Sequence, residues 1–491
     1  MTDLHLPLDR ATGRLAAQIA AGFRSAVRSG RLTAGTRLPS SRDLARDLDV
    51  SRGVVVAAYE QLTAEGFLIA RRGDGTRIAP LARPDDGAPV APPAGLGDGA
   101  APRPRGAAPP SPEPTPSPEP PPEAALPYDL WPSRPDLSAF PRERWIAAAR
   151  AALRTLPHDV LTYPDPCGVP ALRAELAGYL ARVRAAHTGP GRVVIMNGVA
   201  HGLSALLGLL RAGGHTTLAV EDPTSVRQVP MLEASGLRIV RVPVDGEGVD
   251  VDALAGTGAR AVLVTPAHQY PTGVVLSPAR RAELIAWVRG VDGLILEDDY
   301  DAEFRYDREP VGCLQGVDPD RVVLLGSVSK SLAPALRLGW AVAPPAIAAR
   351  LCEHRENTDL GGPVLEQYAF AEFLRGGGYD RHLRTMRRRY RTRRDALAAA
   401  LNENLPGATV HGVSAGIHLY VELPAGRGED EIVARAAQAG VSVAGARPMW
   451  SAARAGHAPP ALVLGYARLT ETRLVEAAEL LGQAVTHGAE G

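Results

Sequence analysis

The sequence predicts an α/β protein in three parts: an N-terminal winged helix-turn-helix, a linker, and a large domain on a mostly parallel sheet with a smaller α+β subdomain. Three observations lead there. Residues 1–79 alternate helical patterns with short connections; residues 80–127 shift abruptly to Pro, Ala, Gly and acids; from Tyr128, helical patterns alternate with β-branched runs. A chain of 491 residues has room for two or three such units.

In the first part Leu15, Ile19, Phe23 and Val27 recur at helical spacing and predict an amphipathic helix. Ser40 or Ser41 caps a short helix through about Leu48, and Ser51 caps another running to about Glu65. The four-residue break DLDV between them is helix-turn-helix spacing. FLIARRGDGTRIA then reads as a hairpin wing around Gly73 and Gly75. Twelve arginines against eight acids leave residues 1–79 at +4. Helix N-termini with Ser and Arg side chains suit phosphate, and Arg52 is placed to reach guanine in a major groove. The spacing alone also suits a helical protein-interaction module.

Residues 80–127 cannot bury a core and read as a semi-extended linker. At about 3 Å per residue it reaches on the order of 100 Å. Beyond it, RVVIMNG, TTLAVEDP, RIVRVPVD, AVLVTP, GLILEDD and RVVLLGS predict the strands of βα units. From about Leu365, long helices with IHLYVEL and ALVLGYARL predict the smaller subdomain.

Formal net charge is zero, so any nucleic-acid surface must be local. Cys167, Cys313 and Cys352 lie far apart without metal-ligand spacing and read as reduced thiols. Neither a signal core nor a run of about 18 apolar residues occurs, which predicts a soluble, cytoplasmic protein.

Of 54 basic residues only Lys330 is lysine. Arginine replaces lysine wherever charge alone is wanted, but its guanidinium cannot become a neutral amine. Lys330 sits in LLGSVSKSLAPALRLGW, after a predicted strand and beside Ser327, Ser329 and Arg337. A buried lysine near cationic neighbours can form a Schiff base with an aldehyde, and hydroxyls with an arginine fork make a phosphate site. Upstream, GLILEDDYDAEFRY ends a strand in acids followed by tyrosine, where α/β proteins bind ligands. Pyridoxal phosphate (PLP) needs such a carboxylate for its ring nitrogen and a phenol or amide near its 3-oxygen. Glu297, Asp298, Asp299 and Asp301 do not predict a metal site, because adjacent strand residues face opposite ways. NGVAHGLSALLGLL is a glycine turn opening a helix whose first N–H groups can hold phosphate.

LPSSRDLARDLDVSRGVVVAAYEQLTAEGFLIARRGDGTRI closely resembles the GntR-type winged helix. The resemblance implies that Arg37, Arg42 and Arg52 face DNA with wing residues Gly73, Gly75 and Thr76, and that Ser40 and Ser51 lie at the same surface. Gly53 and Val54 stand where a polar residue and threonine are usual, which changes the base contacts.

The motifs LTYPDPCGVPALRAELAGYL, VEDPTSVRQ, TPAHQYPTGVVLSPARRAELIAWV, EDDYDAEFRY and SVSKSLAPALRLGW resemble, in order, the fold-type I PLP-dependent aminotransferases. With the winged helix in front, the match is to the MocR/GabR subfamily of GntR regulators. It implies that Lys330 forms the internal aldimine, that Asp298 pairs with the pyridine nitrogen and that Tyr300 approaches the 3-oxygen. Ser327, Ser329, Arg337 and the Val199–Ala200 backbone would hold phosphate, Tyr270 would complete the cofactor set, and Tyr163 would reach a partner subunit's phosphate.

Two departures bear on function. Ser225 stands where relatives carry a ring-stacking aromatic, with His201 a candidate replacement; Val463 stands where aminotransferases carry a carboxylate-clamping arginine. Arg227, Arg447 and Arg468 are the candidate effector contacts instead. A missing bidentate clamp weakens amino-acid orientation. The reading is therefore a regulator of double-stranded DNA operators that senses PLP, an amine or an amino acid as a homodimer, each head resting on the partner's sensor. A PLP-dependent aminotransferase with an appended head is the alternative. The basic run at 381–397 reads as a solvated helix face.

Overall fold

The computed structural model describes residues 6, 8–10, 13–71, 75–79, 126–306, 311–412, 414–424, 426 and 428–486. Gly73 of the wing and linker residues 80–125 lie outside them.

The head is formed by α1 (Leu15–Arg28), α2 (Ser41–Asp47), α3 (Arg52–Ala64) and the antiparallel wing strands β1 (Leu68–Arg71) and β2 (Gly75–Ile78). One stripe of α1 is buried, through Ile19, Phe23 and Val27, as the spacing dictates. Phe23 meets Tyr59 of α3 edge-on, with ring centroids 5.7 Å apart. Ser40 caps α2 by accepting the Asp43 N–H at 3.2 Å.

The sensor starts at β3 (Tyr128–Asp129), followed by α4 (Arg142–Thr155) and α5 (Pro170–Arg184). Its main sheet holds β4 (Val193–Met196), β5 (Thr217–Asp222), β6 (Arg238–Asp245), β7 (Gly248–Val249), β8 (Ala261–Val264), β9 (Leu294–Asp298), β10 (Val322–Ser327) and β11 (Gly339–Val342). Their order is β4-β11-β10-β9-β8-β5-β6-β7. Neighbours from β10 through β6 run parallel; β11 runs antiparallel to both its neighbours, and β7 turns back on β6. Every predicted strand of this sheet is present. β11 was not expected: the chain after Lys330 returns through the short turn Pro334–Leu336 as a strand. Helix α6 (Val199–Ala212) follows β4.

The smaller subdomain pairs β12 (Thr409–His411), β13 (His418–Glu422), β16 (Ala461–Gly465) and β15 (Ala444–Gly445) in that order, while β14 (Val441–Ser442) pairs with β3. Its long helix Gly378–Asn404 carries the basic run. That run is only partly a solvated face. Arg391 is exposed, but Arg389 and Arg393 converge on Asp136 at 2.8 and 2.9 Å and tie the helix to the sensor's first segment.

One expectation is corrected. Cys167 and Cys352 are bonded as a disulfide, leaving Cys313 as a buried free thiol; a separation of 185 residues hides such a pair from any local spacing rule. The head packs on a sensor surface through Arg28 of α1, which donates to the carbonyls of Ala185 and Gly316 at 2.7 and 3.0 Å. Among the described residues, no helix is long and apolar enough to cross a membrane.

Candidate functional site

The C-terminal ends of β9 and β10 open into a cavity of about 700 Å³, where a parallel sheet places its ligands. Lys330, Asp298, Tyr300, Ser327, Ser329, Arg337, Val199, Ala200 and Tyr270 all line it, although they come from four separate stretches of chain. The Lys330 amine donates to the Ser133 carbonyl at 2.7 Å. Ser133 holds a left-handed backbone (φ 64°) that turns this carbonyl toward the lysine.

Asp298 ends β9. Gln228 donates to its Oδ2 at 2.9 Å, while Oδ1 is buried without a hydrogen-bond partner. Burial pushes the carboxyl up to about 6, with Gln228 lowering it, Asp299 raising it and Lys330 lowering it. A buried, unpartnered carboxylate oxygen on a residue that lines a cavity wants an N–H cation, and a protonated pyridine nitrogen is one.

The far end of the cavity is built for an anion. Helix α6 starts at Gly198 (φ 90°) with no side-chain cap, so its first N–H groups lack partners within the helix. Arg337 reaches the Asn197 carbonyl at 2.6 Å, and Ser327 Oγ accepts the Ser329 N–H at 3.3 Å. A Cβ on Gly198 would lie 3.0 Å from the Arg337 guanidinium, and one on Gly339 would lie 2.8 Å from Gly198 Cα; this cradle requires both glycines. These donors fit the phosphate of PLP and Lys330 fits its aldehyde.

Tyr300 donates to the His268 carbonyl at 2.9 Å and lies 3.1 Å from His268 Nδ1, which is 3.0 Å from Asp301 Oδ2. His268, Asp301 and His418 form a buried cluster behind the phenol. Burial raises the Tyr300 hydroxyl well above its ordinary range, so it stays a donor. The sequence reading missed His268 and His418, which lie 30 and 120 residues from Asp298 in chain order, and missed Gln228, which stands four residues after Thr224 in VEDPTSVRQ.

Other predicted residues fall differently. Tyr163 is absent from this cavity's lining and is 80% exposed. Ser225 and Arg227 line the cavity; His201 does not, because its Nδ1 accepts the Asn197 N–H at 3.1 Å and folds the ring back on its own helix. Val463 is fully buried in an apolar cluster against which Trp131, Val226 and Tyr270 pack. Arg468 lines the cavity and pairs with Asp129, which also holds Arg134 at 2.8 Å. Arg447 is outside the lining and faces Asp430 at 3.4 Å. On the head, Arg37, Ser40, Arg42, Ser51, Arg52 and Gly75 are exposed and Thr76 is half-buried.

Fold and cavity together define a DNA-binding head joined to an aminotransferase-fold sensor of the PLP type. The comparisons agree. Residues 15–78 match the gntR family of bacterial regulatory proteins, and residues 136–457 match aminotransferase class I and II. The chain is 33% identical over 440 residues to the HTH-type pyridoxine biosynthesis transcriptional regulator PdxR of Corynebacterium glutamicum, covering 88% of each chain. It is 32% identical over 453 residues to the probable rhizopine catabolism regulatory protein MocR of Rhizobium meliloti, covering 91% of this chain and 88% of that one. Among solved structures it is similar to the α-aminoadipate aminotransferase LysN of Thermus thermophilus, with TM-score 0.66 and 26% identity over 74% of this chain and 93% of that one. The chain belongs to the MocR-type gntR regulators, HTH transcription regulators that carry a PLP-type aminotransferase domain.

Proposed function

We propose that this regulator reports PLP availability to a DNA operator, with Lys330 as the residue that captures the cofactor's aldehyde. The observation that carries the reading is Lys330 and the unpartnered Asp298 Oδ1 at one cavity, while Val463, standing where aminotransferases carry the clamping arginine, is buried in an apolar cluster outside its lining. Bound PLP supplies an electron-withdrawing ring and a reactive aldehyde carbon. Around it, Asp298 would hold the ring N–H proton, and the Tyr300 hydroxyl would turn from the His268 carbonyl to donate to the 3-oxygen. Ser327, Ser329, Arg337 and the Val199 and Ala200 N–H groups bind the phosphate, and Tyr270 closes one side. A regulator of pyridoxine biosynthesis among the relatives supports PLP as the signal.

The cavity mouth favours a second effector class. Arg134, Arg227 and Arg468 line it, so an amine carrying an acidic group would meet cations there. Sustained aminotransferase turnover is disfavoured by Val463, since orientation of a substrate carboxylate contributes much of the rate.

The working unit is a homodimer in the cytoplasm. Ile146 and Leu153 on α4, with Leu161, Tyr163, Leu360 and Leu365, are large apolar side chains left at 43–80% exposure. Isolated apolar residues are ordinary on a surface, but a set of this size supports a subunit interface that would carry Tyr163 to the partner's phosphate site. Two heads on one dimer gain affinity through effective concentration. Arg37, Arg42 and Arg52 contact DNA, with Ser40, Ser51, Gly75 and Thr76 at the same face.

The test is operator binding by the full-length protein, stripped of cofactor, across a PLP series. A PLP-dependent change in affinity that Lys330→Ala abolishes supports the reading. Equal affinity at all PLP levels contradicts it, and steady turnover of an amino donor with a keto acid would favour the enzyme.

A further inference from the structure

The acids that flank Asp298 have no part in the cavity, and their contacts lead directly to the DNA head. Successive residues on a strand face opposite ways, so Asp298 points into the cavity while Glu297 and Asp299 point to the other side. Glu297 accepts the N–H groups of Leu314 and Gln315, each at 3.0 Å. Asp299 is clasped by Arg184 at 2.7 and 2.9 Å, and Arg184 in turn donates to the Val311 carbonyl at 2.6 Å. The two acids thereby hold the segment 311–316 and the end of α5.

The head sits on this platform. Its Arg28 donates to Ala185, which follows Arg184, and to Gly316, which follows Gln315. Gly316 lies so near Ala185 that a Cβ there would meet the Ala185 carbonyl at 2.2 Å. Gly312 lies against Glu65 of the head, whose carboxylate pairs with Arg24 at 3.1 Å in a buried bridge. Leu314 and Val317 join the head's apolar cluster.

We propose that β9 couples the two sites: a cation on Asp298 tightens the grip of Glu297 and Asp299 on the platform, so that cofactor occupancy favours the docked head. The inference rests on the proposed PLP reading. Three carboxyls in a row oppose one another's ionisation; burial first and then Asp299 push Glu297 up to about 7. A pyridinium N–H on Asp298 offsets the central charge, which favours the ionised form of Glu297 and eases the repulsion on the Asp299–Arg184 pair, strengthening the hydrogen bonds on that side of β9. Coupling of this kind is reciprocal, so loosening the head must weaken cofactor binding.

Hydrogen–deuterium exchange of the cofactor-stripped full-length protein, with and without PLP, tests this, read together with the PLP affinity of Arg28→Ala. Arg28 is remote from the cavity lining, so the variant leaves the cofactor contacts intact. The expected result is slower exchange in residues 24–32 and 311–317 when PLP binds, and a PLP affinity weakened roughly fivefold or more by Arg28→Ala. Slower exchange around Lys330 with no change in residues 24–32, or an unchanged PLP affinity in Arg28→Ala, overturns the coupling while leaving the PLP reading in place. No change around Lys330 overturns the PLP reading itself.

Discussion

Gln228 donates one hydrogen bond to Asp298 and leaves the second carboxylate oxygen buried and unpartnered. The hydrogen bond orients the carboxylate at the cavity wall. Replacing Asp298 by alanine removes a charge-assisted hydrogen bond of about 1.5–3 kcal/mol, so PLP affinity should fall roughly 10–100-fold. Gln228→Leu leaves the carboxylate in place but unoriented, and should cost less than Asp298→Ala. Equilibrium binding of PLP to the stripped proteins measures both.

PLP affinity should depend on pH through the same residue. Asp298 is raised to about 6 by burial, and only its ionised form pairs with a ring N–H. Affinity should therefore weaken as pH falls below about 6, and Asp298→Asn should remove that component. The stability sign is opposite to that of a salt-bridged acid. A raised carboxyl favours folding in its neutral form, a contribution present below the ordinary carboxylate range and lost as pH rises through 6. The thermal stabilisation added by PLP should accordingly be larger at pH 7.5 than at pH 5.5, as a melting series would show.

Arg42 and Arg52 are exposed on the helices of the head. If each contacts phosphate, alanine at either position should weaken binding to all DNA sequences and flatten the salt dependence by about one unit of slope. An Arg52 that reads guanine would instead lose discrimination at one base position. Binding measured across a salt series with matched and mismatched operators separates the two.

The thiols provide an independent check on the fold. In denaturant without reductant, alkylation should label Cys313 alone, because Cys167 and Cys352 are bonded. After reduction all three should react. Three labels before reduction would mean that the pair is open.

Most of the sheet was legible because its strands are β-branched runs of four to eight residues, each closed by a turn or a helix start. β11 was not, since GWAV follows a loop whose cofactor motif draws the eye to Lys330, and a four-residue strand has little period of its own. The cavity's charged and hydroxyl residues were readable from local motifs, whereas Gln228, Arg134 and His268 come to the site only through folding. His201 and Arg447 lie outside the cavity's lining for another reason: chain position gives proximity but not side-chain direction, and both turn to neighbours of their own. The disulfide and the docked head are contacts between distant segments, for which neither composition nor spacing carries a signal.

Lys330 as the point of cofactor attachment is tested most directly by a visible-absorption titration of stripped protein with PLP, run beside Lys330→Ala. A saturable new visible band in the wild type, absent from Lys330→Ala, is the predicted result. No band in either protein, or the same band in both, would contradict it.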